Sequence, residues 1–167
     1  MKNLRVIRDS DIGSNSPEAK LYRERRAARA LVFDREGNIA LLHATNKSYH
    51  KLPGGGIETE EDVVQALKRE CLEEIGCNIE NIKELGLIEE FRNDFNLHQI
   101  SYCYTADLDG EKGQNQLEED EVADGFEPVW MNPDEAIKTL ESERTSIENY
   151  EGKFICLRDL TFLKEFA

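Results

Sequence analysis

Cysteine and histidine, the usual ligands of soft or borderline metals, are scarce in this chain: four cysteines and three histidines in 167 residues. No two cysteines form a C-x-x-C pair, which argues against a zinc ribbon or a thioredoxin-like motif. Cys71, Cys77, Cys103 and Cys156 read instead as buried free thiols in a reducing compartment. His43, His50 and His98 have no ligand-like spacing and are assigned structural or surface roles. Long apolar runs are missing too; none approaches the roughly 20 residues that a membrane-spanning helix needs. The opening residues, MKNLRVIRDSDIG, lack the apolar core of a signal peptide. A cytoplasmic protein with no membrane partner is therefore expected. Positive charge is in deficit, with 21 Lys and Arg against 35 Asp and Glu and a net charge of −14. Broad nucleic-acid binding needs a basic footprint, so no nucleic-acid partner is expected. A small polyanion remains compatible with this charge if divalent cations neutralise both sides.

What is present suits one globular domain over residues 1–167, with 39% hydrophobic and 34% charged residues. There is no internal repeat and no low-complexity segment. Leu4–Ile7 reads as a short strand, followed by a loop rich in Ser, Asn, Pro and Gly. Arg26–Asp34 and Ile39–Ala44 flank the turn Arg35-Glu36-Gly37-Asn38 and read as a hairpin. After the glycines at 54–56, Thr59 reads as a helix N-cap with Glu60, Glu61 and Asp62 in the first turn. Val64, Leu67, Cys71 and Ile75 recur at helical spacing, and Gly76 closes the helix. Two strands follow, Ile82–Phe91 and His98–Ala106, joined by the polar link Arg92–Asn96. Asp107–Asp124 reads as an acidic loop, Phe126–Met131 as a strand, and Asn132-Pro133 as a helix start. A last helix fills much of Ser146–Phe166, with a break or bend at Gly152. Strands interleaved with helices indicate an α/β fold, a mixed sheet between helical layers.

The central helix carries the chemistry. Glu70, Glu73 and Glu74 stand at i, i+3 and i+4 and span roughly 100° of its circumference. The apolar stripe lies roughly a third of a turn away, so one helix packs and presents three carboxylates beside its packed side. Clustered carboxylates repel one another, and a hard divalent cation relieves that repulsion. Oxygen-only ligands favour Mg²⁺ or Mn²⁺ over zinc. The glycines let backbone approach the same place, where a carbonyl completes the ligand set. Taken alone, the acids read equally as a solvated helix face.

The longer pattern separates these readings. Gly55, five residues, Glu61, seven residues, and then Arg69-Glu70-Cys71-Leu72-Glu73-Glu74-Ile75-Gly76-Cys77 resembles the Nudix hydrolase signature G-x5-E-x7-R-E-U-x-E-E-x-G-U, with U bulky and apolar. Every fixed polar and glycine position matches, and Cys71 and Cys77 stand at U positions. The resemblance implies an α/β/α sandwich with a mixed central sheet and cleavage of a diphosphate linkage in a nucleotide. It implies metal binding by Glu70, Glu73, Glu74 and the carbonyl of Gly54. Arg69 would hold a neighbouring carboxylate, and Glu61 would serve the site or the start of its helix. Glu118, Glu119 and Glu121, in the acidic loop, are candidates for an extra ligand or base. Arg23, Arg25, Arg26 and Arg29 surround the first long strand and could reach substrate phosphates, with Arg26 and Arg29 taken as the candidates. Tyr49, Phe95, Tyr102 and Phe126 read as core aromatics. The favoured substrate is a nucleoside triphosphate or damaged nucleotide, converted to monophosphate and pyrophosphate. The rivals are an ADP-ribose or nucleotide-sugar hydrolase, a non-catalytic nucleotide sensor on the same fold, an isomerase using a catalytic cysteine such as Cys103, and removal of an RNA cap or end, which the net charge disfavours. A homodimer is in keeping with the resemblance.

Overall fold

A computed structural model describes residues 1–167. Its strands are β1 (Asn3–Arg8), β2 (Arg23–Phe33), β3 (Ile39–Ala44), β4 (Tyr49–Lys51), β5 (Asn78–Arg92), β6 (Leu97–Asp109) and β7 (Phe126–Met131). Its helices are α1 (Val63–Ile75), α2 (Glu119–Asp124), α3 (Pro133–Glu143) and α4 (Tyr150–Phe166). The strands form one sheet in the order β1-β5-β6-β2-β3-β4, with β7 paired to β3. The pairs β1–β5 and β2–β6 are parallel and the others antiparallel, so the sheet is mixed. Helices cover it on both sides in an α/β/α arrangement, with α1 against β2 and β5, and α4 against β4, β5 and α3. No helix is long and apolar enough to cross a membrane.

Strand β2 is the centre of the sheet because Ala27 to Val32, Arg29 apart, is a run of small and branched side chains, and all six residues are buried. The hairpin expected from β2 and β3 closes at a single pair, Phe33 with Ile39. Beyond it the strands part, and β3 takes β4 and β7 as partners. The vacated edge of β2 is filled by the glycine stretch. Ala28 N–H donates to the Gly55 carbonyl (2.9 Å), Ala30 N–H to Pro53 (3.1 Å), and Ile57 N–H to Arg26 (3.0 Å). A glycine loop can act as a strand here because buried backbone groups on an inner edge must be paired.

Several boundaries differ from the sequence expectations. Helix α1 begins at Val63 with Asp62 as its N-cap, not at Thr59. Asp62 and Gln65 form a reciprocal capping box, each side chain accepting the other's N–H at 2.8 Å. Glu60 has φ 72, a left-handed turn that precedes the helix. Val64 is 37% exposed and leaves the packed stripe to Ala66, Leu67, Cys71 and Ile75. Gly152 neither breaks nor bends α4. It lies in the first turn, where its N–H caps onto Asn149 (2.7 Å). The 107–124 segment includes α2 as well as loop. All four cysteines are free and buried.

Candidate active site

Arg69 organises the start of the site. Its guanidinium forks onto Glu61, Nε to Oε1 at 2.9 Å and Nη2 to Oε2 at 3.1 Å. Nη2 also donates to the Gly56 carbonyl (3.0 Å), and Nη1 to Glu70 (2.9 Å) and Glu73 (3.0 Å). One side chain thus ties the glycine loop to three carboxylates. Its hydrogen bonds hold the Glu61 carboxyl below the usual range, and the acids, Glu61 first, raise the proton affinity of Arg69.

The three helical acids do not share one environment. Glu70 and Glu74 fall inside the buried stripe of α1, at 7% and 1% exposure, while Glu73 stands at its edge and faces Arg69. Glu74 accepts from the N–H of Gly54 and from Lys51 Nζ (3.0 Å). Burial pushes the Glu74 carboxyl up to about 7 and raises that of Glu70 as well. Gly54 thereby enters the site through its N–H, in addition to the carbonyl role expected from sequence.

A fourth acid arrives from α2. Carboxylate oxygens of Glu70, Glu74 and Glu121 lie within 4.8 Å of one another. Backbone bonds strap the segment before α2 to the end of α1, Gly113 N–H to Gly76 (3.0 Å) and Gln116 N–H to Glu73 (2.6 Å). On its far side, Thr45 and Asn46 side chains donate to Gly125 (2.9 Å) and Ala123 (2.7 Å), and Lys47 pairs with Asp124 (2.7 Å). Glu118 lines the same cleft as Glu121, and Glu119 does not.

The cleft holds about 360 Å³, and Arg25, Arg29, Lys47 and Lys51 line it together with the acids. Arg26 is not part of it: it is exposed and paired with Glu24 (3.1 Å). Side chains alternate along a strand, so Arg25 and Arg29 share one face and Arg26 takes the other. That parity is a signal present in the sequence once β2 is placed. Lys51 and Lys47 carry no such signal. Tyr49 and Phe126 are buried, as expected of core aromatics, yet they also border the cleft, whereas Phe95 is 48% exposed. Cys103 is fully buried and burial pushes its thiol well above the usual range, which leaves no accessible catalytic cysteine there.

A convergent set of carboxylate oxygens fits a hard divalent cation. Glu70, Glu74 and Glu121 could hold one, and Lys51 is the positive charge that faces Glu74 in this structure.

Two expectations follow from this packing. Gly54 has φ 129, and a Cβ there would strike the backbone carbonyl of Ala28. Gly54→Ala is expected to lower unfolding free energy by at least about 2 kcal/mol, read by denaturant titration. A Cβ at Gly55 would meet only the Glu70 carboxylate, a flexible chain end. Gly55→Ala should therefore keep the fold and displace Glu70, lowering turnover by about tenfold.

A third expectation concerns pH. Glu74 has a folded pKa of about 7 against an ordinary 4.5. Folded protein then holds the proton more tightly than unfolded chain. The contribution is fully favourable below about pH 4.5 and is lost as pH rises through about 7. In chelator, the thermal midpoint should fall across that window, by the equivalent of up to about 3 kcal/mol. Glu74→Gln should flatten the slope; an unchanged slope in that variant refutes the attribution.

Comparison with known proteins is consistent with this geometry. The family described as NUDIX domain matches residues 23–150. A protein named RNA pyrophosphohydrolase from Bartonella henselae is 40% identical over 70 residues, 36% of this chain and 40% of that protein. The chain thus matches less than half the length of that relative. The crystal structure of a MutT NUDIX hydrolase from Burkholderia pseudomallei aligns with a TM-score of 0.55 at 26% identity, covering 67% of this chain and 85% of the other. The solution structure of the E. coli ORF135 protein aligns at a TM-score of 0.58, covering 87% and 89%. Its 19% identity supports the fold alone.

Proposed function

The chain belongs to the Nudix family, and on that premise we propose that it is a divalent-metal-dependent pyrophosphohydrolase of nucleotides. The favoured substrate is a nucleoside triphosphate, intact or damaged, cleaved to monophosphate and pyrophosphate. The observation that carries this reading is the meeting in one cleft of three carboxylates, Glu70, Glu74 and Glu121, with the cations Arg25, Arg29 and Lys51.

Bound Mg²⁺ or Mn²⁺ supplies charge neutralisation for the diphosphate and acidity for a water. The protein's own groups do the rest. Arg25, Arg29 and Lys51 draw the phosphate oxygens into the cleft and hold the chain of phosphates across it. Arg69 keeps Glu61, Glu70 and Glu73 at fixed separations, so their mutual repulsion does not spread the site. Burial raises the proton affinity of Glu70 and Glu74 in the metal-free protein, and a cation held between them would lower it again, leaving both ionised as ligands. As water adds to phosphorus, its proton passes to a carboxylate of the cleft. The bond from phosphorus to the bridging oxygen breaks, and the second phosphate-bearing product leaves with the electron pair.

The name of the Bartonella relative brings a second reading, removal of pyrophosphate from a 5′-triphosphorylated RNA end. The bond broken is the same, and the net charge of −14 weighs against a long polyanionic partner. The test is incubation with Mg²⁺ and a panel of nucleoside triphosphates, triphosphorylated RNA, nucleotide sugars, dinucleoside polyphosphates and coenzyme A, with products identified. Release of pyrophosphate from triphosphates is expected. Preference for nucleotide sugars overturns the substrate class, and no turnover across the panel indicates a sensor.

A further inference from the structure

Beneath the cleft, four guanidiniums gather in a chain that is otherwise strongly acidic. Arg25 and Arg29 come from β2, Arg92 ends β5, and Arg158 lies on α4. Arg29, Arg92 and Arg158 are 5%, 2% and 1% exposed. Two fully buried carboxylates, Glu90 and Asp159, lie among them, and Glu70 and Glu74 act on Arg25 and Arg29 from the cleft. The first two are already engaged. Glu90 takes Arg92 Nη2 at 2.8 Å and faces Arg158 Nη1 at 3.6 Å. Asp159 takes Arg158 Nε at 2.7 Å and the Leu52 N–H at 2.8 Å. Arg92 also reaches the half-exposed Glu151 at 3.3 Å, and Arg25 donates to Gln99 at 2.8 Å. Arg29 forms no ion pair with any of these carboxylates, and Asp159 and Glu74 act on it only at longer range.

The donors tell the same story. Nε and Nη1 of Arg29 are buried without a hydrogen-bond partner in the protein, as are Nη1 and Nη2 of Arg158 and Nε of Arg92. Burial, and next the neighbouring Arg158, lower the pKa of Arg29 to about 10, which still leaves it charged at neutral pH. A buried, charged and unpaired guanidinium destabilises a fold that has no use for it. Of these residues Arg29 and Arg25 line the cleft that the acids share.

We propose that Arg29, with Arg25 beside it and Arg158 close by, forms an anion subsite that takes the terminal phosphate group of a polyphosphate. The consequence for catalysis rests on the hydrolase reading above; the binding does not. A guanidinium fork matches phosphate oxygens in shape, and a multiply charged phosphate offers the acceptors that Arg29 lacks. A sugar hydroxyl would offer a single neutral acceptor. The subsite therefore selects substrates that end in a bare phosphate over those whose second phosphate carries a sugar. Because its groups are cations, it holds pyrophosphate with no divalent ion present.

The probe is pyrophosphate, titrated into the intact protein in EDTA by calorimetry and by thermal shift. Wild type is expected to bind it and melt higher. Arg29→Met should weaken that binding by at least about 30-fold, the value of a pair of charge-assisted hydrogen bonds. Without ligand, this variant should melt at or above the wild-type temperature, since it removes an unpaired buried charge. An arginine that serves structure alone gives the opposite result, a lower midpoint with pyrophosphate affinity within about twofold of wild type, and that overturns the subsite. Arg25→Gln, at a less buried position, tests the same point where Arg29→Met does not fold. A loss of about tenfold supports the subsite and unchanged affinity refutes it. Pyrophosphate binding by a protein that hydrolyses nothing in the panel keeps the subsite and removes the hydrolase. Hydrolysis of triphosphates by a protein that does not bind pyrophosphate in EDTA does the reverse.

Discussion

Glu74→Gln is expected to lower metal-dependent turnover by at least about 10²-fold, or roughly 2.7 kcal/mol of transition-state stabilisation. Glu70→Gln should follow closely, and Glu73→Gln should be clearly milder. The ordering comes from where the acids stand. Glu70 and Glu74 are buried and bring their oxygens to Glu121, whereas Glu73 stands at the edge of the helix and outside that cluster; Arg69 holds both Glu70 (2.9 Å) and Glu73 (3.0 Å). The amide of glutamine keeps the size of the side chain and loses the charge, so circular dichroism should report an unchanged fold. Glu74→Gln also leaves Lys51, only 8% exposed, without its partner. A loss of stability in that variant belongs partly to the stranded ammonium. Glu70→Gln, which has no such lysine, is the cleaner probe of the metal role. Near-wild-type kcat in both the Glu70 and Glu74 variants at saturating Mg²⁺ would sink the assignment.

Arg69→Gln carries the second large effect, on stability more than on chemistry. It removes the fork to Glu61 and the bonds to Glu70, Glu73 and the Gly56 carbonyl together. Three carboxylates are then left close together with no cation between them. Breaking one side of a well-formed, partly buried ion-pair network costs about 3 kcal/mol. The denaturant midpoint should fall by that equivalent with the slope unchanged. Glu61→Gln should produce part of the same loss. The double variant should lose less than the sum of the two, because the partners share one interaction. Additive losses would show that Arg69 and Glu61 act independently.

The stretch from Gly55 to Cys77 was legible because its chemistry is local. Helical period alone sets Glu70 and Glu74 a turn apart on one face, and Gly76 at φ 65 closes that helix as its residue type suggests. Asn132-Pro133 was equally readable, since a cap and a first-turn proline act within a few residues. The start of α1 was harder. Thr59 and Asp62 are both good caps, and the choice was made by Glu61, which turns back to Arg69. What the sequence does not display is anything decided across the sheet. Glu121 reaches the other acids through backbone bonds such as Gln116 to Glu73, which no side-chain type announces. Lys51 and Arg158 look like ordinary surface cations until β4 and α4 cover them. The polar face of β6, Gln99 and Ser101, is buried while the half-buried His98, Ile100 and Tyr102 face the other way. Alternation gave that strand its period but not which face meets α4, because the buried side here is paid for by a hydrogen-bonded polar network rather than by apolar residues.

The parting of β2 and β3 after one residue pair has a mechanical meaning. Pro53 to Ile57 is at once the loop that carries Gly54 and Gly55 into the cleft and the neighbour that completes the sheet beside Ala28 and Ala30. A ligand cannot pull this loop aside without unzipping an inner strand. The phosphate-facing backbone is therefore held at the stiffness of the sheet. The segment that bears Glu118 and Glu121 is held differently, at its two ends, by Gln116 to Glu73 and by Asn46 to Ala123.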